Sequence, residues 1–239
     1  IIEVKNITDK ISSKKLKVIN VNCNFKNPYK VSLNNSRKYV IKSLSLGHSL
    51  AQRKDVGGLI NCPLNKNILS KSKKIGVTEF LASKCGVTNG AEAMLIHNKK
   101  ISVLPITTHI NLKNVAKNIK KRLIIKKIVT LKKNFKKLFK KSPTIGVLGL
   151  NPHNAEFDSK SEEKKSIIPA ISSLRKMGFR VDGPLSADTV FISKYKKFDV
   201  IVGMYHDQVL APFKSLFNFD AINLTLGLKY IRVSPDHGP

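Results

Sequence analysis

Cysteine is scarce in this 239-residue chain: only Cys23, Cys62 and Cys85 are present, and they lie far apart. None of them forms the C-x-x-C pair of a redox motif or has the spacing of a structural zinc site. Isolated thiols are typical of a reducing compartment and argue against a disulfide framework. We therefore expect a cytoplasmic protein whose fold depends on a hydrophobic core, which the 41% content of hydrophobic residues can supply.

Long apolar runs and glycine-rich phosphate loops are also absent. No segment is long and apolar enough to span a bilayer, and none has the pattern of a secretory signal, so we expect no membrane partner. Neither G-x-G-x-x-G nor G-x-x-x-x-G-K-[ST] occurs in the sequence. These absences exclude the two glycine-rich motifs that most often bind nucleotide phosphates.

Acidic residues are few and unevenly distributed. The chain has 44 Lys and Arg against 15 Asp and Glu, a net charge of +29, and the segment Lys113–Lys141 contains no acid at all. Its apolar residues recur at three- or four-residue steps, which predicts amphipathic helices with lysines facing water. We favour a solvated helix face over specific nucleic-acid binding, because lysine dominates over arginine and aromatic residues are few. A polyanion-binding surface is the alternative from another class of protein.

Strand-like and helix-like patterns alternate along the chain, which predicts an α/β fold with a mostly parallel sheet. Asn98-Lys99-Lys100 is predicted to turn a hairpin, and Gly178 to end a helix. The predicted strands are Lys17–Asn22, Val56–Cys62, Ala93–His97, Ile101–Ile106, Thr144–Leu150, Val200–Met204, Ala221–Thr225 and Tyr230–Val233. The predicted helices are Ser36–Lys54, Glu79–Lys84, two between Leu112 and Lys141, and Glu162–Met177.

Three histidines follow apolar, strand-like runs. They are His109 in PITTHINL, His153 in VLGLNPHNAE and His206 in VIVGMYHDQVL. In open α/β sheets the strand ends are where ligands bind, and imidazole is the commonest metal ligand. Each histidine alone could be an ordinary loop residue, but three at equivalent positions favour a divalent metal site with coordination positions left open for a substrate.

Candidate anion-binding residues surround these histidines in the sequence. Lys214 lies shortly after His206, and Asn223 and Arg232 flank a glycine turn between two predicted strands. Thr78 lies at the start of a predicted helix, where free N–H groups and a hydroxyl suit an anion. Arginine offers a planar fork that matches phosphate or carboxylate. The alternatives are surface charge for the two cations and a plain helix cap for Thr78.

The motifs together resemble the 4-hydroxythreonine-4-phosphate dehydrogenase family, in family order from about residue 37 onward. The resemblance is carried by PLNK (63–66), GVTEFLA (76–82), TTHINL (107–112), GLNPHNAE (149–156), the stretch Glu162–Ile171, GPLSADTVF (183–191), MYHDQVLAPFK (204–214), INLTLGLKYIR (222–232) and SPDHG (234–238). It implies two α/β/α domains similar to those of isocitrate and isopropylmalate dehydrogenases, expected at residues 1–72 and 73–239. It also implies a homodimer whose active site is shared between the subunits.

The resemblance further implies an activity. Family members oxidise and decarboxylate 4-phosphooxy-L-threonine to 3-amino-2-oxopropyl phosphate, a step of pyridoxine biosynthesis, with NAD or NADP and a divalent metal such as zinc, magnesium or cobalt. Carried onto this sequence, the metal ligands are His109, His153 and His206. The substrate ligands are Thr78, Lys214, Asn223 and Arg232. Apart from the resemblance, our hypothesis is that Lys214 or Asp207 carries protons. His237 is the candidate cofactor contact.

Two departures from the family pattern affect these expectations. The family's G-H-T-E-F contains a substrate-contacting histidine, and Val77 replaces it here. A related substrate, threonate or erythronate phosphate, is therefore an alternative for the same chemistry. Segments that open and close the family pattern are absent, so we expect the chain to be a fragment. Lys229 also stands where the family has proline in LGLP.

Overall fold

A large mixed sheet organises the computed structural model, which describes residues 1–9, 14–64, 68–69, 76–87 and 91–236. A separate two-stranded sheet lies near the N-terminus. The strands are β1 Ile2–Glu3, β2 Lys17–Val18, β3 Leu59–Ile60, β4 Ala93–His97, β5 Ser102–Pro105, β6 Ile145–Leu148, β7 Val181–Leu185, β8 Val200–Gly203, β9 Ile222–Leu226 and β10 Arg232–Pro235. The α-helices are α1 Leu33–Ala51, α2 Val77–Lys84, α3 Val115–Asn118, α4 Lys121–Phe139, α5 Ile168–Lys176, α6 Ala187–Val190 and α7 His206–Phe217.

The eight-stranded sheet has the order β3-β10-β9-β4-β5-β8-β6-β7. Strands β5, β8, β6 and β7 are mutually parallel, whereas β5–β4, β4–β9 and β9–β10 are antiparallel pairs. The predicted α/β class is confirmed, and four of the seven strand pairs are parallel, including β3–β10, but three neighbouring pairs are antiparallel, so the sheet is mixed. Short turns join β4 to β5 and β9 to β10, and only antiparallel strands can be joined so closely.

Helices cover both faces of this sheet. Alternation along the strands sends Leu95, Leu104 and Val202 into the core beneath α4 and α5. It sends their neighbours Ile96 and Val103 into the core beneath α7. Both faces of the central strands are therefore apolar, which explains why these strands form continuous hydrophobic runs in the sequence.

The amphipathic pattern of the basic segment is confirmed. Ile124, Ile128, Leu131 and Phe135 of α4 are all at most 2% exposed, while most of the lysines lie on the outer face. Lys127 departs from the pattern, because its side chain is buried. Among the described residues, no helix has the length and apolar character needed to cross a bilayer.

The structure differs from the predicted elements at several ends and near the N-terminus, and strand β7 and helices α6 and α7 were not predicted. The predicted strand at 17–22 is reduced to β2, and that at 56–62 to β3. Helix α1 begins earlier than predicted, since Ser32 accepts a hydrogen bond from the Asn35 backbone N–H and caps it. The predicted helix at 162–177 opens with a π-helical turn, Glu163–Ile167, before α5, and Gly178 ends it with a φ of 74° as predicted.

The division into domains at residues 72 and 73 stays a prediction. Strand β3 lies on the N-terminal side of that position and pairs with β10, so it belongs to the eight-stranded sheet together with the strands of residues 93–235. A small cluster formed by Ala51, Cys85 and Tyr230 packs α1 and the end of α2 against the turn before β10.

Candidate active site at the edge of the sheet

The three candidate metal ligands follow three strands that are neighbours in space. The order β5-β8-β6 and the parallel pairing of these strands bring their carboxyl ends to one edge. The three histidines follow these ends within a few residues: His109 after β5, His206 after the middle strand β8, and His153 after β6. Because neighbouring strands lie roughly 4.8 Å apart, this edge is narrow enough for adjacent side chains to meet.

Hydrogen bonds between the loops hold the three strand ends together. Thr107 donates both its backbone N–H and its hydroxyl to the Met204 carbonyl, at 3.1 and 2.7 Å. Gln208 accepts from the Met204 N–H at 2.6 Å and donates from Nε2 to the Gly149 carbonyl at 2.8 Å. Sequence reasoning did not single out Gln208, since a glutamine in the first turn of a helix has no distinctive pattern.

Two of the histidines lie beside one another. The ring centroids of His109 and His206 are 5.9 Å apart. The Nδ1 of His206 is 2.6 Å from Oδ1 of Asp207, and the Nδ1 of His109 is 3.9 Å from Oε1 of Glu79. The imidazole of His109 lowers the pKa of Glu79. A ring whose Nδ1 faces a carboxylate presents Nε2 to a ligand, so the pair has the donor chemistry of a metal site.

His153 is exposed on the same edge, on a turn with unusual backbone geometry. Residues 153–157 all have positive φ angles. Glu163 supports the start of this turn, because its fully buried carboxylate accepts hydrogen bonds from the N–H groups of Leu150 and Asn151 at 2.7 and 2.9 Å. Burial raises the pKa of Glu163, but these hydrogen bonds and one from the Asn151 side chain outweigh it and lower the pKa overall.

The three histidines do not form a complete metal site within one chain. In the part of the chain that the structure describes, no three His, Cys, Asp or Glu side chains form a group able to hold a metal ion. The structure brings His109 to His206 and leaves His153 on the neighbouring loop.

Arg232 is a buried cation in the antiparallel half of the sheet. It is 4% exposed, and it donates to Asn61 Oδ1 at 2.8 Å, to Thr225 Oγ1 at 2.8 Å and to Thr78 Oγ1 at 3.4 Å. These partners are neutral, and Arg232 forms no ion pair with a carboxylate of the described residues. Burial lowers the pKa of Arg232 to about 10, against opposing effects of Tyr230 and Glu79. A buried guanidinium without a counter-ion is an environment suited to an anionic ligand.

The neighbouring polar residues share a face of the sheet with Arg232. The register pairs Arg232 with Thr225 and Ser234 with Asn223, so these four side chains project to the same side. The Oδ1 of Asn223 is buried without a hydrogen-bond partner in the described structure. An unsatisfied buried amide oxygen is uncommon and is consistent with a missing polar ligand.

Lys214 and Asp207 lie on α7, and Thr78 lies on α2. The Nζ of Lys214 is 3.8 Å from Oδ2 of Asp236, just beyond β10, rather than next to Arg232. Thr78 does not cap α2, since Gly76 is the N-cap residue and Val77 is the first residue of the helix. Likewise Asp207 does not cap α7, whose N-cap is Tyr205. His237 lies outside the described residues.

Helix α2 connects the two groups of side chains. Its consecutive residues Thr78 and Glu79 face Arg232 and His109, respectively. The site therefore combines a pair of imidazoles at strand ends with a buried guanidinium, on two halves of one sheet. Imidazole nitrogens are suited to a cation and a guanidinium to an anion, so this arrangement is typical of an α/β protein that binds charged ligands.

Comparison with known proteins identifies the family. Over its whole length, residues 1–239, the chain matches and belongs to the family described as pyridoxal phosphate biosynthetic protein PdxA. The resemblance inferred from the motifs is therefore confirmed.

Named relatives agree with this assignment. The chain is 42% identical over 206 residues to a 4-hydroxythreonine-4-phosphate dehydrogenase of Aquifex aeolicus, covering 85% of this chain and 63% of that protein. It is 38% identical over 201 residues to a protein of Oceanobacillus iheyensis provisionally named D-threonate 4-phosphate dehydrogenase, covering 82% of this chain and 60% of the relative. The chain thus spans less than two thirds of the length of these relatives.

A solved structure supports the fold. The crystal structure of a 4-hydroxythreonine-4-phosphate dehydrogenase from Klebsiella pneumoniae is similar with a TM-score of 0.84 at 29% identity, covering 99% of this chain and 73% of that one. The predicted likeness to the isocitrate dehydrogenase-like fold is confirmed by this match.

Proposed function

We propose that this chain forms the metal- and phosphate-binding part of a dehydrogenase. The enzyme would oxidise and decarboxylate 4-phosphooxy-L-threonine to 3-amino-2-oxopropyl phosphate in pyridoxine biosynthesis. The family and the names of the relatives support the activity. The single observation that carries the proposal is the buried Arg232, connected through Thr78 and Glu79 of α2 to the His109–His206 pair.

The phosphate of the substrate would bind at Arg232. Its guanidinium is buried among neutral oxygens, so a dianionic phosphate would gain charge-assisted hydrogen bonds there at little additional desolvation cost to the arginine. Thr78 and Asn223 would contribute a hydroxyl and an amide to the same ligand. Lys214 would join them on binding, which requires it to leave its 3.8 Å contact with Asp236.

A divalent cation, with zinc, magnesium and cobalt as candidates, would be held by His109 and His206 through Nε2. His153 would complete the ligand set in a homodimer, since the described residues of one chain do not assemble three ligands. Such a cation supplies Lewis-acid polarisation of a substrate oxygen.

The chain's own ionisable groups would move the protons of the reaction. Oxidation removes a hydride and a hydroxyl proton from the substrate, and decarboxylation releases carbon dioxide and leaves a carbon that must take up a proton. Lys214 and Asp207 are the proposed proton carriers; Asp207 is 82% exposed and touches His206. NAD or NADP accepts the hydride, and His237 is the proposed contact to it.

The same chemistry on D-threonate 4-phosphate is the second candidate function. Val77 replaces the histidine of the family pattern at the first residue of α2, directly beside Thr78, and a valine cannot hydrogen-bond a substrate. One relative is provisionally named D-threonate 4-phosphate dehydrogenase. The two substrates differ in an amino or a hydroxyl group next to the carboxylate, so a change in polar contacts at this position could discriminate between them.

A paired assay tests both candidates. NADH or NADPH formation is measured with each substrate, in the presence of zinc, magnesium or cobalt, for the unmodified protein and for Val77→His. The first candidate is supported if the protein turns over 4-phosphooxy-L-threonine and Val77→His increases that turnover. Preference for D-threonate 4-phosphate supports the second, and turnover of neither with any of the three metals contradicts both.

A further inference from the structure

The first turn of α2 carries a carboxylate to which neither the motifs nor the family assignment gives a role. Glu79 follows Thr78, and its Oε1 lies 3.9 Å from Nδ1 of His109, at ion-pair distance. This separation is long for a direct hydrogen bond, but contacts of this kind often shorten when a site is filled. Both side chains are partly exposed, at 40% and 52%, so they have room to approach.

The two oxygens of Glu79 have different surroundings. Oε2 lies over the start of the helix, where a Cβ added to Gly76 would be 2.7 Å away, and the Gly76 backbone hydrogen-bonds the carboxylate. That contact is the glutamate half of a capping box, which stabilises the N-terminal turn of a helix. Oε2 is the oxygen near Gly76, whereas Oε1 is the oxygen that lies towards His109.

His206 has an equivalent partner. Its Nδ1 is 2.6 Å from Oδ1 of Asp207, the next residue in the chain. Each ring of the 5.9 Å pair therefore has a carboxylate at Nδ1, contributed by two separate elements of the fold. A histidine whose Nδ1–H is held by a carboxylate keeps Nε2 unprotonated when the ring is neutral, and metal-binding histidines commonly have this arrangement.

We propose that Glu79 is a positioning residue that holds His109 in the Nδ1–H tautomer, with Nε2 directed to the metal. Because Glu79 is also part of the first turn of α2, it links the orientation of His109 to the helix that presents Thr78 to Arg232. This inference rests on the proposed metal-dependent function, and it adds a role that the three-histidine set does not contain.

The test separates this role from helix capping by the choice of substitution. Glu79→Gln preserves the capping box, in which glutamine also serves, but replaces the carboxylate with a weaker, uncharged acceptor. Glu92→Gln is the matched control: both glutamates act electrostatically on the buried Lys127, so the control removes the same charge from the same surroundings.

Two measurements are made on the unmodified protein and on both variants. The first is the 15N NMR shift of the two ring nitrogens of His109 in the metal-free protein, in alkaline buffer where the imidazole is neutral. The second is the dissociation constant of zinc, measured by competition with a chromophoric chelator. We expect Glu79→Gln to move the His109 shifts towards the Nε2–H tautomer and to weaken zinc binding roughly 10-fold or more. Glu92→Gln should leave both unchanged.

The proposal is overturned if Glu79→Gln and Glu92→Gln give the same His109 shifts, whatever the zinc affinity. A failure of the proposed function has a different result: the unmodified protein does not bind zinc, magnesium or cobalt. The tautomer measurement in the metal-free protein still decides the role of Glu79 in that case.

Discussion

The two halves of the sheet present their candidate functional side chains in different ways. In the parallel half, β5, β8 and β6 end at one edge, and His109, His206 and His153 follow on exposed or half-buried loops and helix starts. In the antiparallel half, Arg232 and Asn223 lie within β10 and β9 and project from the face of the sheet, and Arg232 is almost fully buried.

This difference follows from strand connectivity. A parallel strand must be left through a crossover, so its carboxyl end opens into loops where polar residues can remain solvated. An antiparallel hairpin has no such opening, so a polar residue there is within the sheet and is desolvated together with its neighbours. The parallel half thus suits a metal site whose open positions must reach water or substrate. The antiparallel half suits strong, desolvated contact with a phosphate.

The largest expected effect is on the parallel half. His206→Ala should abolish metal-dependent formation of the reduced nicotinamide cofactor, because it removes the middle ligand of the proposed set. His97→Gln, at the end of β4, is the control, since its ring contacts Ser102 and Phe139 away from the site. Full activity of His206→Ala would contradict the metal assignment.

The antiparallel half should respond next most strongly. Arg232→Ala should raise KM for the phosphorylated substrate about 100-fold or more, because each hydrogen bond from a charged donor contributes roughly 1.5–3 kcal/mol. Arg232→Lys should raise KM less than Arg232→Ala does, since lysine keeps the positive charge but lacks the planar guanidinium fork. Steady-state kinetics checks this, with the exposed Arg175→Ala as control. An unchanged KM in Arg232→Ala would place the phosphate elsewhere.

Gln208 connects strands within the parallel half, so its removal should have a moderate effect. Gln208→Ala leaves the Met204 N–H and the Gly149 carbonyl without their partner, which should cost about 1–3 kcal/mol of unfolding free energy. Activity should also fall, because the loops that carry His206 and His153 lose a connection. Urea unfolding measures the change, and the exposed Gln52→Ala should leave activity unaffected. A stability of Gln208→Ala equal to that of the unmodified protein would contradict this role.

The smallest effect concerns the packing of α1 against the antiparallel half. His48 is buried, with Nδ1 3.0 Å from the Tyr230 hydroxyl, and burial together with Lys84 and Lys229 lowers its pKa. The unfolded chain therefore binds a proton at His48 below about pH 6.5 more readily than the folded chain does, so stability should fall as the pH drops through that range.

His48→Gln should reduce this pH dependence, as measured by urea midpoints between neutral and mildly acidic pH. Burial also lowers the pKa of His97, so this residue contributes to the pH dependence of stability with the same sign in both proteins. The difference between the two curves therefore isolates His48, and parallel curves would contradict the prediction.

Several elements were predictable from local patterns. The apolar stripe of α4, the hairpin at Asn98 and the left-handed Gly178 follow from periodicity and turn chemistry, which act over a few residues. The short strands β2 and β3 were overestimated, because their residues are apolar enough for a strand but pairing partners exist for only two residues of each. The antiparallel pairing of β4 with β9 was not predicted, because it joins strands that are far apart in the chain.

The same division applies to the site. The sequence by itself determined which histidines follow apolar runs and which side chains are candidates for anion binding, since residue type and position after a strand are local properties. Only the tertiary structure decided that β5, β8 and β6 are neighbours, that His109 lies beside His206, and that Arg232 is buried among neutral oxygens. It also brought Glu79 and Gln208 into the site. Burial and contact depend on segments far apart in the chain, so no local pattern could have specified them.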